Sequence, residues 1–282
     1  MSDDAPQAEA QRRAVVSLFD EVAAGYDSPA LRFFPFSADR TVARLRPPPG
    51  AKVLDVATGT GALAVALAQA VGPQGRVMAI DLSPAMLERA EQNIRKMALD
   101  NVDLFEMDAE APEFRSGYFD AVTCGFGLFF LPDMARAVRQ WRRVTRPGGR
   151  LLFTTFTEKA FTPLAETLFA DLEAFGVELA PLSLRADRLN AADDCAALLT
   201  AAGLESVEQH VDRVGYHLRG AEDWWEVVWN SGLRRAVSGL SAAQREDFRQ
   251  RHLAGLVERV GEEGLWLEVE VRTSLGRVPA AS

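Results

Sequence analysis

Three aspartates stand where short apolar runs end. Asp55 lies in "VLDVATGTGAL" at 53–63, just ahead of Gly59 and Gly61. Asp81 ends "RVMAID" at 76–81, and Asp108 follows "VDLFEM" at 102–107. A carboxylate so placed accepts hydrogen bonds and attracts positive charge, and the three together suit one ligand with three different ends. Asp81 can accept from the 2′ and 3′ hydroxyls of a ribose. Asp108, with the backbone N–H of Ala109, can read the amino edge and a ring nitrogen of an adenine. Asp55 can meet an amino group, directly or through water. A pyrophosphate would gain nothing from that charge, whereas an amino-acid ammonium would. Gly59 and Gly61 let a ligand come close, because glycine has no Cβ and tolerates positive φ. Two other readings fit the same residues. "GTGALA" satisfies the G-x-G-x-x-A form of a dinucleotide fingerprint, and Asp81 could cap the helix that "SPAML" opens.

Residues so spaced need strands that stop at one edge and helices that start there. Strand patterns at 52–56, 76–80, 102–106, 119–123 and 150–156 alternate with helical ones at 62–71, 84–98 and 133–145. In the last of these, Met134, Ala137, Val138, Trp141 and Val144 form an inward stripe. Arg142 and Arg143 sit near its end, where a helix dipole favours cations. Alternation of this length predicts an α/β fold with a doubly wound, Rossmann-like, mostly parallel sheet covered on both faces. Helices are expected at 10–25 and 37–45, before a "RPPPG" linker at 46–50. Later ones are expected at 160–176, 190–202, 221–238 and 241–260. Strands at 205–217 and in "LWLEVEVRTS" should pair antiparallel at the sheet edge. The expected organisation is an N-terminal helical lid (1–49), a cofactor-binding core (50–158) and a C-terminal part (159–282). The last completes the sheet and adds helical insertions over the mouth of the site.

The chain has 282 residues, 48% hydrophobic and 25% charged, an ordinary globular composition. A formal net charge of −9 would repel a phosphate backbone, so no nucleic-acid partner is expected. No apolar run approaches the roughly 20 residues that span a bilayer. The acidic start "MSDDAPQAEAQRR" lacks a signal-peptide core. Cys124 and Cys195, the two cysteines, offer neither a disulfide framework nor a zinc spacing. The expected location is therefore the reducing cytoplasm.

Six motifs, in order, resemble the class I S-adenosylmethionine (SAM)-dependent methyltransferases, above all the quinone-biosynthesis C-methyltransferases and their small-molecule relatives. They are "FDEVAAGYD" at 19–27, "VLDVATGTG", "IDLSPAML", "MDAE", "FDAVTCGFGL" and "VTRPGGRLLFTTF". The resemblance implies SAM as cofactor and assigns roles by position. Gly59 and Gly61 would line the methionine end, with Ala57 where many members carry a glycine. Asp55 would steer the ammonium, Asp81 the ribose, and Asp108 with Ala109 the adenine. Leu82 and Met86 would flank the adenosine. The backbone carbonyl of Cys124 would face the sulfonium, while its thiol reads as a small buried apolar group. Tyr26 would close over the methionine portion from the lid. Quinone-pathway members follow "FGL" with Arg-Asn, and this chain has Phe129-Phe130, which makes the mouth of the site apolar.

Methyl transfer is a displacement at a carbon the cofactor already activates, so no protein nucleophile is needed. "CGFG" at 124–127 lacks both the Asn/Asp-Pro-Pro-aromatic run of exocyclic-amine enzymes and the carboxylates a magnesium site needs, so no metal is expected. The candidate bases are His210 and His217, which an odd spacing puts on opposite faces of a strand; His252 lies on a late helix. Phe33, Phe34, Phe126 and Phe129 are the candidate acceptor pocket, within a wider set that includes Phe36, Phe130, Phe161, Trp224, Trp225 and Trp229. "DWWEVVW" at 223–229 reads equally as a homodimer face. The expected activity is methylation of a small, largely apolar or aromatic metabolite at carbon or oxygen. The alternatives are an N-methyltransferase of a secondary metabolite, a SAM-binding protein that does not methylate, and a nicotinamide dehydrogenase.

Overall fold

Val53, Leu54 and Val56 are wholly buried, and the strand they form, β1 (Lys52–Val56), is the centre of the molecule. The computed structural model describes residues 4–177, 189 and 191–280. β1 pairs in parallel with β2 (Arg76–Asp81) on one side and with β4 (Phe119–Gly125) on the other. β3 (Val102–Glu106) extends the sheet beside β2, and β5 (Thr145–Phe156) extends it beside β4. β7 (Leu265–Arg277) then runs antiparallel to β5, and β6 (Glu205–Leu218) lies outermost, antiparallel to β7. The order is β3-β2-β1-β4-β5-β7-β6. The expected doubly wound, mostly parallel sheet is present. Its reversed strand is β7, one in from the edge that β6 occupies.

Adjacent residues of the central strands serve opposite faces. Val53, Val77 and Leu152 pack with Leu45 and Leu67 on one side. Leu54, Val122 and Phe153 pack with Trp141 on the other. The helices covering these faces are α2 (Phe33–Leu45), α3 (Ala62–Val71), α4 (Pro84–Lys96) and α5 (Met134–Val144). Their starts are local. Ser83 caps α4 by accepting from the Met86 N–H, and Asp133 caps α5 by accepting from the Arg136 N–H at 2.8 Å. Asp81 is therefore not a helix cap.

α1 (Asp4–Val22) occupies the segment expected to form a lid, and it is tied down along its length. Gln11 donates to the Phe130 carbonyl at 3.0 Å, Asp20 accepts from the Ser83 hydroxyl, and Glu21 pairs with Arg234 at 2.9 Å. α2 starts at Phe33 rather than 37, because Pro35 falls in the first turn, where a helix needs no N–H. The late part supplies α6 (Leu164–Ala174), α7 (Ala192–Ala201), α8 (Ala221–Trp229) and α9 (Ala242–Leu256). Residue 190, expected to open α7, and most of 178–190 lie outside the described residues. The helix expected over 221–238 is broken. The extended backbone of Ser231 ends it, and a short 3-10 turn, Gly232–Ala236, follows. The α8 tryptophans are not an exposed face. Trp224 is fully buried and donates to His252, and Trp229 lies under the guanidiniums of Arg234 and Arg245.

Ala57, just past β1, takes a left-handed φ of 53°. Its methyl group leaves no room opposite: a Cβ on Gly127 would lie 2.5 Å from it. Gly127→Ala is expected to destabilise the protein by about 1–3 kcal/mol through overpacking, measured by urea unfolding. Adding Ala57→Gly should recover most of the loss; additive effects of the two changes would contradict the pairing.

Candidate functional site

β1 is where the strand order turns back, between β2 and β4, and such a switch point opens a crevice at the carboxyl ends of the strands. Asp55 is 1% exposed there, with no cation beside it among the described residues. It accepts from the Thr58 hydroxyl at 2.7 Å and the Thr123 hydroxyl at 2.8 Å. Burial lifts its carboxyl to about 7, against the pull of both threonines, and the Asp81 charge adds to the rise. Asp81 accepts from the Gly59 N–H at 2.8 Å and the Ser83 N–H at 3.0 Å, and burial raises its pKa as well. Asp108 is half-buried after β3 and accepts from the Glu110 N–H at 2.8 Å.

A cleft of about 760 Å³ runs between these tips and the lid, and Asp81, Leu82, Asp108, Ala109, Ala57 and Gly59 all line it. Four cofactor candidates do not, and one of them, Asp55, lines an adjoining cavity instead. Met86 is buried beneath, packed with Val22 and Ala23 where the lid meets α4. Gly61 caps α3 at a φ of 85° and packs on Ala90. Cys124 is fully buried in β4, its thiol pushed up by desolvation, and Gly125, Phe126 and Gly127 face the cleft instead.

The lid brings a residue that spacing could not reveal. Arg12 donates to Glu110 at 2.7 Å and lies 3.4 Å from Asp108. Glu110 is 1% exposed and also accepts from the Asp133 N–H. The adenine-side carboxylate thus sits beside a lid arginine fixed by a buried acid, 98 residues away in sequence.

Two further cavities open off this cleft. One, about 500 Å³, lies at the start of α3 and is lined by Asp55, Thr58 and Thr60 with Ser37 and Thr41 of α2. The other, about 490 Å³, is walled by rings: Phe19, Phe34, Phe129, Phe130, Phe156 and Phe161. Tyr26 and Phe126 line all three cavities. Tyr26 stacks on Phe34 at 4.7 Å and Phe126 on Phe156 at 4.5 Å. Phe126 holds a left-handed φ of 57°, an outlier for so bulky a residue. The Thr154 hydroxyl accepts its N–H at 3.2 Å, and strain of this kind gathers at functional sites. Phe33 is a correction to the expected pocket: it is fully buried behind Phe34 and does not reach the chamber.

The histidines are elsewhere. His210 lies in an arginine-rich groove on the edge strand β6, and His217 pairs with Glu263 at 3.6 Å. Neither lines the cleft or the aromatic chamber. His252 is sealed between Asp171 and Trp224, its pKa lowered by desolvation.

The ubiE/COQ5 methyltransferase family model matches residues 7–215. The chain belongs to this family. It is 32% identical to the aklanonic acid methyltransferase DauC of Streptomyces sp. strain C5 over 217 residues, 72% of this chain and 97% of that one. It is 35% identical over 167 residues to the ubiquinone/menaquinone biosynthesis C-methyltransferase UbiE of Francisella philomiragia, 57% of this chain and 66% of the relative. Further quinone-pathway relatives match over only 43% to 51% of their own length. A putative methyltransferase from Bacillus halodurans superposes with a TM-score of 0.58 at 24% identity, covering 87% of this chain and all of that one. That likeness shows the fold. The chain is a SAM-dependent methyltransferase.

The residues present fit this cofactor. Carboxylates at three strand tips border the cleft and its adjoining cavity, the Gly59 backbone borders the cleft, and the buried Ser37 hydroxyl has no partner among the described residues. Because the folded pKa of Asp55 lies above its ordinary value, the group favours the folded chain below about pH 4 and costs stability as pH climbs through about 7. Affinity for S-adenosylhomocysteine (SAH), which carries the ammonium, should rise roughly tenfold from pH 6 to 8, with release of a proton. Asp55→Asn should flatten that profile, weaken SAH and melt higher than the parent at pH 8. A titration calorimetry profile that keeps its slope in the variant would contradict the assignment.

Proposed function

We propose that this methyltransferase acts on a flat, largely apolar aromatic or quinonoid metabolite, at oxygen or carbon. The observation that carries the reading is the ring-walled chamber sharing Phe19, Tyr26, Phe126 and Phe130 with the cofactor cleft. Face and edge contacts with such rings favour a planar acceptor. The relatives named for aklanonic acid and for quinones support the same class of acceptor. Phe129 and Phe130, in place of the Arg-Asn of quinone-pathway members, make the wall more apolar and favour a larger ring system with fewer polar groups at that end.

In this reading Asp55 holds the cofactor's ammonium, Asp81 the ribose hydroxyls, and Asp108 with the Ala109 N–H the adenine. Leu82 packs along the nucleoside. Bound SAM supplies an activated methyl group on a sulfonium. The chain's own part is alignment and exclusion of water. Among the described residues the chamber wall carries no carboxylate, imidazole or amine, and its side-chain hydroxyls are those of Tyr26 and Ser231. Desolvation pushes the Tyr26 phenol up, so it serves as a donor and not as a base. The acceptor therefore brings its own nucleophile, an ionised hydroxyl or an electron-rich enolate carbon.

Incubation with labelled SAM and a panel of naphthoquinols, hydroxyanthraquinones and aliphatic amines tests the class. Labelled aromatic products are expected; turnover of the amines alone would overturn the reading. Phe129→Leu, which removes a ring and keeps an apolar wall, should raise the acceptor KM about two- to tenfold and leave SAH affinity within a factor of two. Asp81→Asn and Asp108→Asn should do the reverse, each weakening SAH by roughly tenfold or more with a smaller effect on acceptor KM. Equal SAH affinity in both variants and the parent would remove the carboxylate roles.

A further inference from the structure

Ser37 is an odd residue to bury. It lies on α2, is 4% exposed, and its hydroxyl has no hydrogen-bond partner. An unsatisfied buried hydroxyl costs stability unless something outside the chain completes it. The cavity it lines also holds Asp55 and the first residues of α3, Ala62 and Leu63. The start of α3 is itself bare: Gly61 is its N-cap and no side chain bonds the first-turn amides. A helix of ten residues begun this way presents N–H donors and a partial positive charge. Among the described residues no arginine, lysine or histidine lines the cavity.

We propose that this corner is the seat of the cofactor's α-carboxylate, and that it binds the anion without a cation. The Ser37 hydroxyl donates from one side and the first-turn amides of α3 from the other, while Asp55 takes the neighbouring ammonium. The division follows from charge. Asp55 repels a carboxylate, so the carboxylate must lie toward the donors on α2 and α3. Thr58 and Thr123 already donate to Asp55, and among the described residues Ser37 is the one whose hydroxyl lies buried at this cavity without a partner. Ser37 is a binding residue for the cofactor, and its orphaned state in the ligand-free chain is the mark of that role.

The test compares SAH with its analogue lacking the carboxylate, S-adenosyl-3-thiopropylamine, by titration calorimetry. The parent should bind SAH at least tenfold more tightly than the analogue. Ser37→Ala should weaken SAH about tenfold, change the analogue less than twofold, and leave the melting temperature of the free protein equal or higher, because it deletes an unsatisfied polar atom. Ser37→Cys, nearly the same size, should behave like Ser37→Ala. Equal loss for both ligands would mean a structural role and overturn the proposal. So would unchanged SAH affinity, or a parent that binds the two ligands alike.

Discussion

A buried carboxylate and a half-buried one, with no cation beside either among the described residues, set the terms for the rest of the structure. Asp55 and Asp81 sit at the tips of adjacent parallel strands, and each raises the pKa of its own site through desolvation. What keeps them tolerable is a set of neutral donors in fixed positions: two threonine hydroxyls for Asp55, two backbone amides for Asp81. Those donors are fixed only because β1, β2 and β4 pair in register and the chain turns sharply after β1. In the proposed reading a positively charged nucleoside would relieve the cost of holding this negative charge in place.

Much of this was legible in the sequence. Alternating strand and helix patterns, the glycines after β1 and the acid ending β2 placed the cleft, because strand tips and loop glycines follow from period and backbone freedom. Depth was not legible. Met86 holds a motif position and Phe33 lies in the aromatic stretch that opens α2, yet both face the core, since spacing assigns a face and not a distance from the cavity. Nor were pairings between distant segments visible. Arg12 with Glu110 joins the lid to the loop after β3, and nothing local marks either residue. Ser37 drew no attention because a serine on a helix is usually solvated; only burial without a partner makes it informative. The break after Trp229 was missed for a related reason, as the helical period continues through a serine whose extended backbone ends the helix.

The three cavities divide the labour by chemistry. Polar and anionic groups gather in the cleft and the cavity at the start of α3, and rings gather in the chamber proposed for the acceptor. Tyr26 and Phe126 stand at the junction, one from the lid and one from the tip of β4, each stacked on a ring of the chamber. A reaction centre there would be dry with α1 in place, and Gln11, Arg12, Asp20 and Glu21 bond that helix to the rest of the chain. The late helices contribute at one point: the turn after α8 brings Ser231 and Leu233 to the chamber wall.

A crystal structure of the protein with SAH bound tests the account most directly. The predicted result has the ammonium at Asp55, the ribose at Asp81 and the sulfur opening onto the phenylalanine chamber between Tyr26 and Phe126. A sulfur that faces away from that chamber, or a nucleoside that leaves Asp81 and Asp108 untouched, would contradict it.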